Sequence, residues 1–206
     1  MQINCIPSGA LGVNTYYVRD EITNKGFILD PGGFSPNMLN LIKKDDCDIQ
    51  YIILTHGHGD HIGGVEQYMQ AFSNAQLVAC VHEKTMLADP RLNMSRECCG
   101  TAITLDADLW VNDGEMLQVG EMSLKFIHTP GHTEGGMCIL IDNILFSGDT
   151  LFQQSIGRTD FPGGSFAAIK NSIHNKLFVL PDETTVYPGH MSSTNIGYEK
   201  RNNPFV

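Results

Sequence analysis

Three histidines and an aspartate fall within six positions, His56-Gly57-His58-Gly59-Asp60-His61, just past the apolar run Tyr51-Ile52-Ile53-Leu54. Imidazole nitrogens and carboxylate oxygens are the donors that hold zinc and related divalent ions. His56 and His58, two apart, can face the same way from an extended turn. His132, in Thr129-Pro130-Gly131-His132-Thr133, completes a three-histidine face. Asp60 and His61 face a neighbouring position, which His190 of Pro188-Gly189-His190 completes. Asp149, following Ser147-Gly148, offers two oxygens and is the natural bridge. The expectation is two divalent ions, zinc foremost with iron or manganese admissible, each with three or four protein ligands and room for a shared water. Such a pair lowers the pKa of the water and presents hydroxide to an electrophile. Asp60 has a second, catalytic task in this reading, accepting a hydrogen bond from that hydroxide and aiming it.

An isolated histidine implies none of this, because most are hydrogen-bonded core or surface residues. His82, His128 and His174 are read that way, and Tyr187 as strand packing. Four coordinating side chains crowded past a buried strand fit neither core nor surface.

Rigid elements must hold such a set. Apolar alternation predicts strands over residues 12–19, 25–30, 49–54 and 76–81, and again over 122–128, 137–141, 144–147 and 185–187. Four of these strands each run into a glycine-containing turn that carries a donor, which lines the donors along one sheet edge. Ser35 and Pro36 open a helix to about Lys44 as N-cap and first helical residue. Ile62, Val65, Met69 and Phe72 share a helical face, and shorter helices are expected over 83–88, 165–175 and 194–201. Asp113-Gly114 reads as a turn joining strands 109–111 and 116–119, and Asp142-Asn143 as a hairpin turn. Residues 89–101 read as a surface loop.

The chain of 206 residues fits one domain, residues 1–206, with no linker or low-complexity tract. A net charge of −10 argues against nucleic acid and against an anionic membrane surface, since phosphate binding rests on clustered Lys and Arg. No stretch has the pattern of a signal peptide or a membrane span. The six cysteines lack zinc-finger spacing and are read as reduced thiols, which points to the cytoplasm. Oligomeric state is not readable.

The motif set Thr55-His-Gly-His-Gly-Asp-His61, Thr129-Pro-Gly-His-Thr133, Ser147-Gly-Asp-Thr-Leu-Phe152 and Pro188-Gly-His190 resembles that of the metallo-β-lactamase superfamily. Asn14 in Gly-Val-Asn-Thr-Tyr and Asp30 in Leu-Asp-Pro-Gly-Gly match its order. The resemblance covers nearly the whole chain and implies an α/β fold, the four-layer αββα sandwich. Ser155-Ile-Gly-Arg-Thr-Asp-Phe-Pro-Gly-Gly164 and the ending Ile196 to Phe205 are similar to the compact glyoxalase II-like branch. That branch implies hydrolysis of a small-molecule thioester. Full-length glyoxalase II has a C-terminal helical domain supplying much of its glutathione site. This chain stops 16 residues after His190, so the resemblance does not extend to glutathione as the carrier thiol. Met191-Ser192 stands where relatives usually continue Gly-Pro, which changes a wall near the second ion.

Arg158, in the glycine-flanked loop after Asp149, either positions substrate or pairs with Asp160 to fix the loop. Asp30 is expected to orient a ligand histidine or tie down its own turn. The rival activity on the same fold is a persulfide dioxygenase with mononuclear non-haem iron. There His56, His132 and Asp149 alone would form a two-histidine, one-carboxylate triad.

Overall fold

A computed structural model describes all 206 residues. The first half of the chain forms one six-stranded sheet from β1 (Gln2–Ser8), β2 (Val13–Arg19), β3 (Lys25–Leu29), β4 (Asp48–Ile53), β5 (Gln76–Cys80) and β6 (Leu109–Val111), in that spatial order. β1 to β3 pair antiparallel and β3 to β6 parallel. The second half forms a sheet from β7 (Met116–Val119), β8 (Met122–His128), β9 (Met137–Ile141) and β10 (Ile144–Gly148). A two-stranded ribbon, β11 (Leu151–Phe152) and β12 (Ser155–Ile156), precedes the last members, β13 (Thr185–Pro188) and β14 (Thr194–Asn195).

Period-two alternation makes this a layered molecule. Tyr16, Val18, Phe27, Leu29 and Ile53 of the first sheet meet Leu124, Phe126, Ile139 and Phe146 of the second in one buried cluster. The intervening residues face outward. Tyr17, Ile28 and Ile52 pack under α1 (Pro36–Lys44) and α3 (Val65–Ala71). Ile127, Cys138 and Leu145 pack under α6 (Phe166–Ser172) and its π-helical continuation to Leu177, together with Ile196 of α7 (Ile196–Asn202). Three apolar interfaces require four layers, helix–sheet–sheet–helix, which is the architecture expected.

Local chemistry explains the elements. Ser35 accepts the Met38 N–H and Pro36 opens α1, as its sequence implied. The helix read over 62–72 is broken in two, α2 (Gly59–Ile62) and α3, by Gly63-Gly64. A Cβ on Gly64 would sit 2.6 Å from Gly33 C, so the chain turns there against the Gly32-Gly33 backbone. The break rotates the buried face: Val65 and Tyr68 are buried, whereas Met69 and Phe72 only edge the cluster.

Two expectations require correction. Strands 109–111 and 116–119 are not partners. β6 adds to β5 in the first sheet and β7 to β8 in the second, so Asp113-Gly114 carries the chain across. The Gly114 N–H bonds the Phe126 carbonyl and Asp113 accepts the His128 N–H, which fastens the turn to β8. Residues 89–101, which follow α4 (Lys84–Ala88), are not a plain loop. They hold α5 (Ser95–Cys99), with Asn93 and Ser95 fully buried. The Asn93 side chain accepts the Ser95 N–H and its carbonyl accepts the Gly59 N–H at 2.6 Å, locking α5 onto α2. No helix is long and apolar enough to cross a membrane.

Candidate metal centre

β4 ends at Ile53, and the turn that follows carries Thr55 to His61 into α2. Asp30, at the end of β3, accepts both the Thr55 N–H (2.7 Å) and the Thr55 hydroxyl (2.6 Å). That fixes the entry into the histidine turn. Glu83, fully buried, spans two turns: it accepts the Gly57 N–H at 2.8 Å, the Thr133 hydroxyl at 2.6 Å and the Gly135 N–H at 2.8 Å. Asn14 donates to the Pro188 and Met191 carbonyls and so clamps the turn bearing His190. Neither the Glu83 brace nor the Asn14 clamp has a local sequence signal, because their partners lie far along the chain.

All seven expected donors converge. His56, His58 and His132 form one group, Asp60, His61 and His190 a second, and His56, His61 and Asp149 a third between them, with the donor atoms of each within 4.8 Å of one another. His58 Nδ1 lies 2.9 Å from His132 Nε2, and His190 Nε2 lies 3.2 Å from Asp60 Oδ2. Asp149 Oδ1 is 3.4 Å from His61 Nε2, while its Oδ2 is 3.6 Å from His132 Nε2 and 3.7 Å from His190 Nε2. Asp149 thus stands between the two trios. The second nitrogens are held from behind: His132 Nδ1 by the Arg158 carbonyl at 2.7 Å, and His61 Nδ1 by Asp30 Oδ2 at 3.0 Å.

These residues fit a metal ion on their own chemistry. His56 Nε2, His58 Nε2, His61 Nε2 and Asp149 Oδ1 are buried with no hydrogen-bond partner. A buried polar atom without a partner costs about 1–3 kcal/mol, and those of His56, His61 and Asp149, which form one donor group, call for a cation. Burial drives His56 well below the ordinary imidazole range and His58 down to about 3, with neighbouring imidazoles adding to the effect, so both are neutral lone-pair donors. For His61 burial opposes the charge, but Asp149, Asp30 and Asp60 together raise it well above the ordinary value. Burial pushes Asp60 up, yet the charge of His61 and the hydrogen bond from His190 hold it low. The carboxylates gather positive charge, whether proton or metal.

Arg158 lies on the pocket wall and bonds Asp160 in bidentate fashion at 2.9 and 2.8 Å. Both alternatives expected for it are therefore geometrically open. His82 and His128 stack with ring centroids 4.7 Å apart and belong to none of the donor groups, His174 is exposed, and Tyr187 stacks on Phe146 against the core. His58, Asp60, His132, Asp149 and His190 floor a cavity of about 410 Å³. Met94 and Cys98 of the α5 region line it, and sequence reading missed them because nothing local ties that segment to the site.

The family model described as the metallo-beta-lactamase superfamily matches residues 8–190. Hydroxyacylglutathione hydrolase GloC of Haemophilus influenzae is 36% identical over 212 residues, covering 100% of this chain and 98% of that one. The crystal structure of BLEG-1 B3 metallo-beta-lactamase superposes with a TM-score of 0.91 at 38% identity, covering 99% of both chains. The structure of TTHA1623 in a di-iron-bound form gives 0.86 at 29% identity, covering 98% of this chain and 100% of that one.

Proposed function

Because the chain belongs to the metallo-β-lactamase superfamily, we propose that it is a metal-dependent hydrolase that cleaves a small-molecule thioester. His56, His58 and His132 would hold one divalent ion and Asp60, His61 and His190 a second, with Asp149 shared. Two such ions, when bound, supply Lewis acidity and a water of lowered pKa. The observation that carries the reading is the set of seven converging donors, four of whose buried atoms lack any partner, with five of the seven lining a cavity large enough for a small substrate.

The remaining steps belong to the chain's own residues. Asp60, beside His190, would accept a hydrogen bond from the attacking water and so fix its orientation. The Arg158 carbonyl and Asp30 set the rings of His132 and His61, so the donors need no rearrangement when substrate arrives. Apolar side chains make up half of the cavity lining around the site of the reacting carbonyl. No serine or cysteine with an adjacent base is needed as a nucleophile. The GloC relative supports thioester chemistry, and the di-iron neighbour supports a pair of ions without fixing their identity here.

A second reading is favoured by one observation. His56, His61 and Asp149 also make a two-histidine, one-carboxylate set, the donor type of mononuclear non-haem iron. The iron triad named from sequence used His132 in place of His61. Metal analysis of protein purified without added metal and without oxygen, followed by a thioester panel, separates the two. Two ions and oxygen-independent cleavage support the hydrolase. One iron per chain and oxygen consumption with a thiol persulfide support the dioxygenase.

A further inference from the structure

Above the ions that the donors would hold, the side chains lining the cavity are half apolar and offer little free positive charge. Leu11, Met94, Phe152, Ile156, Phe161 and Met191 line it, and Arg158 is the one Lys or Arg among the lining residues. The Arg158 charge is already engaged, since its guanidinium bonds both Asp160 oxygens and lies 4.0 Å over the Phe161 ring. A carboxylate on the substrate's carrier, away from the reacting carbonyl and the ions, would have to replace one carboxylate on Arg158 with another. Asp160 would then stand uncompensated beside it.

The apolar side chains have the opposite character. Leu11 is 59% and Met191 60% exposed, so both leave large apolar surface in water at a cleft. Both also line the cleft, so an apolar substrate entering it would cover them. Met94 and Met191 hold left-handed backbone, at φ 56 and 67, where glycine carries the least strain. Strain of this kind clusters at active sites and ligand clamps, and a flexible thioether adapts to varied apolar partners.

We infer that the cavity selects thioesters whose acyl and thiol parts are uncharged and predominantly apolar, with Leu11 and Met191 setting the preference. The inference rests on the hydrolytic reading above. It separates this chain from enzymes that hold a charged carrier such as glutathione by ion pairs.

The test is kcat/KM of the zinc-loaded full chain on N-acetylcysteamine thioesters from acetyl to hexanoyl, beside S-lactoylglutathione and a coenzyme A thioester. Each methylene buried along the series should raise kcat/KM by roughly fourfold, and hexanoyl should exceed S-lactoylglutathione by about tenfold or more. Met191→Gly removes the thioether and suits the local backbone. It should keep or raise Tm while lowering the hexanoyl-to-S-lactoylglutathione ratio by about fivefold. Leu11→Asp, at an exposed position, should lower the same ratio. A charged thioester preferred over the neutral series overturns the inference and leaves the hydrolytic reading standing. So does a folded Met191→Gly variant with an unchanged ratio. Cleavage of no thioester at all overturns the hydrolytic reading, and the inference with it.

Discussion

Asp30 Oδ2 lies 3.0 Å from His61 Nδ1, which turns His61 Nε2 toward Asp149, 3.4 Å from its Oδ1. The same carboxylate bonds the backbone and hydroxyl of Thr55, so one side chain fixes both the histidine turn and a ring within it. Asp30→Asn keeps the size but removes the charge and one acceptor. The expected result is a roughly 10–100-fold loss of metal affinity, read by competition with a chromogenic chelator. Native affinity in a variant of native Tm would remove Asp30 from this role.

His58 contributes to the trio with His56 and His132, and its Nδ1 faces His132 Nε2 at 2.9 Å. His58→Ala should lose metal and thioester turnover together, measured by metal content and kinetics on the same sample. Turnover retained at full rate in the metal-verified variant would sink the assignment.

Glu83 braces the turns of His56–His61 and His132 through three accepted hydrogen bonds, and burial pushes its carboxyl up. Glu83→Ala leaves three buried donors without a partner and should cost about 3 kcal/mol or more. Glu83→Gln keeps one acceptor and should cost about 1–2 kcal/mol. Urea unfolding of both variants checks the order; equal stability of all three proteins would show that the brace carries no weight.

Asp20 joins the β2–β3 turn to the β7–β8 turn by accepting from Thr23, Ile22 and Glu121. The hydrogen bonds from Thr23 and Glu121 hold its carboxyl down to about 2 from an ordinary value of 3.8. A depressed carboxylate stabilises the fold above its unfolded-state pKa and loses that contribution as pH falls through the folded value. The Tm difference between wild type and Asp20→Asn should therefore be full above pH 3.8 and close as pH approaches 2. A difference that stays constant over that range would contradict the linkage.

The convergence of the donors was legible because coordination chemistry packs them into short glycine-flanked turns at strand ends, a local signal. The four layers were implied by the resemblance of the motif set, while alternation located strands such as β8. The passage from β6 to β7 was not legible, since Asp113-Gly114 makes the same turn whichever sheets its flanking strands join. Nor was α5, whose order comes from Asn93 reaching back to Gly59. β1 was missed because Gln2 to Ser8 mixes polar and apolar residues on an edge strand without clean alternation.

The crossing at Asp113-Gly114 divides the donors, four before it and three after, and both trios draw on each side. His58 and His132 are 74 residues apart, and Asp60 and His190 are 130 apart. A cation held by either trio is therefore a cross-link that closes a very long loop. Restricting the unfolded chain in this way is worth on the order of 4 kcal/mol for a disulfide of similar span. All six cysteines here are free thiols. The ions would be the chain's only staples, and chelation should lower Tm by several degrees in scanning calorimetry.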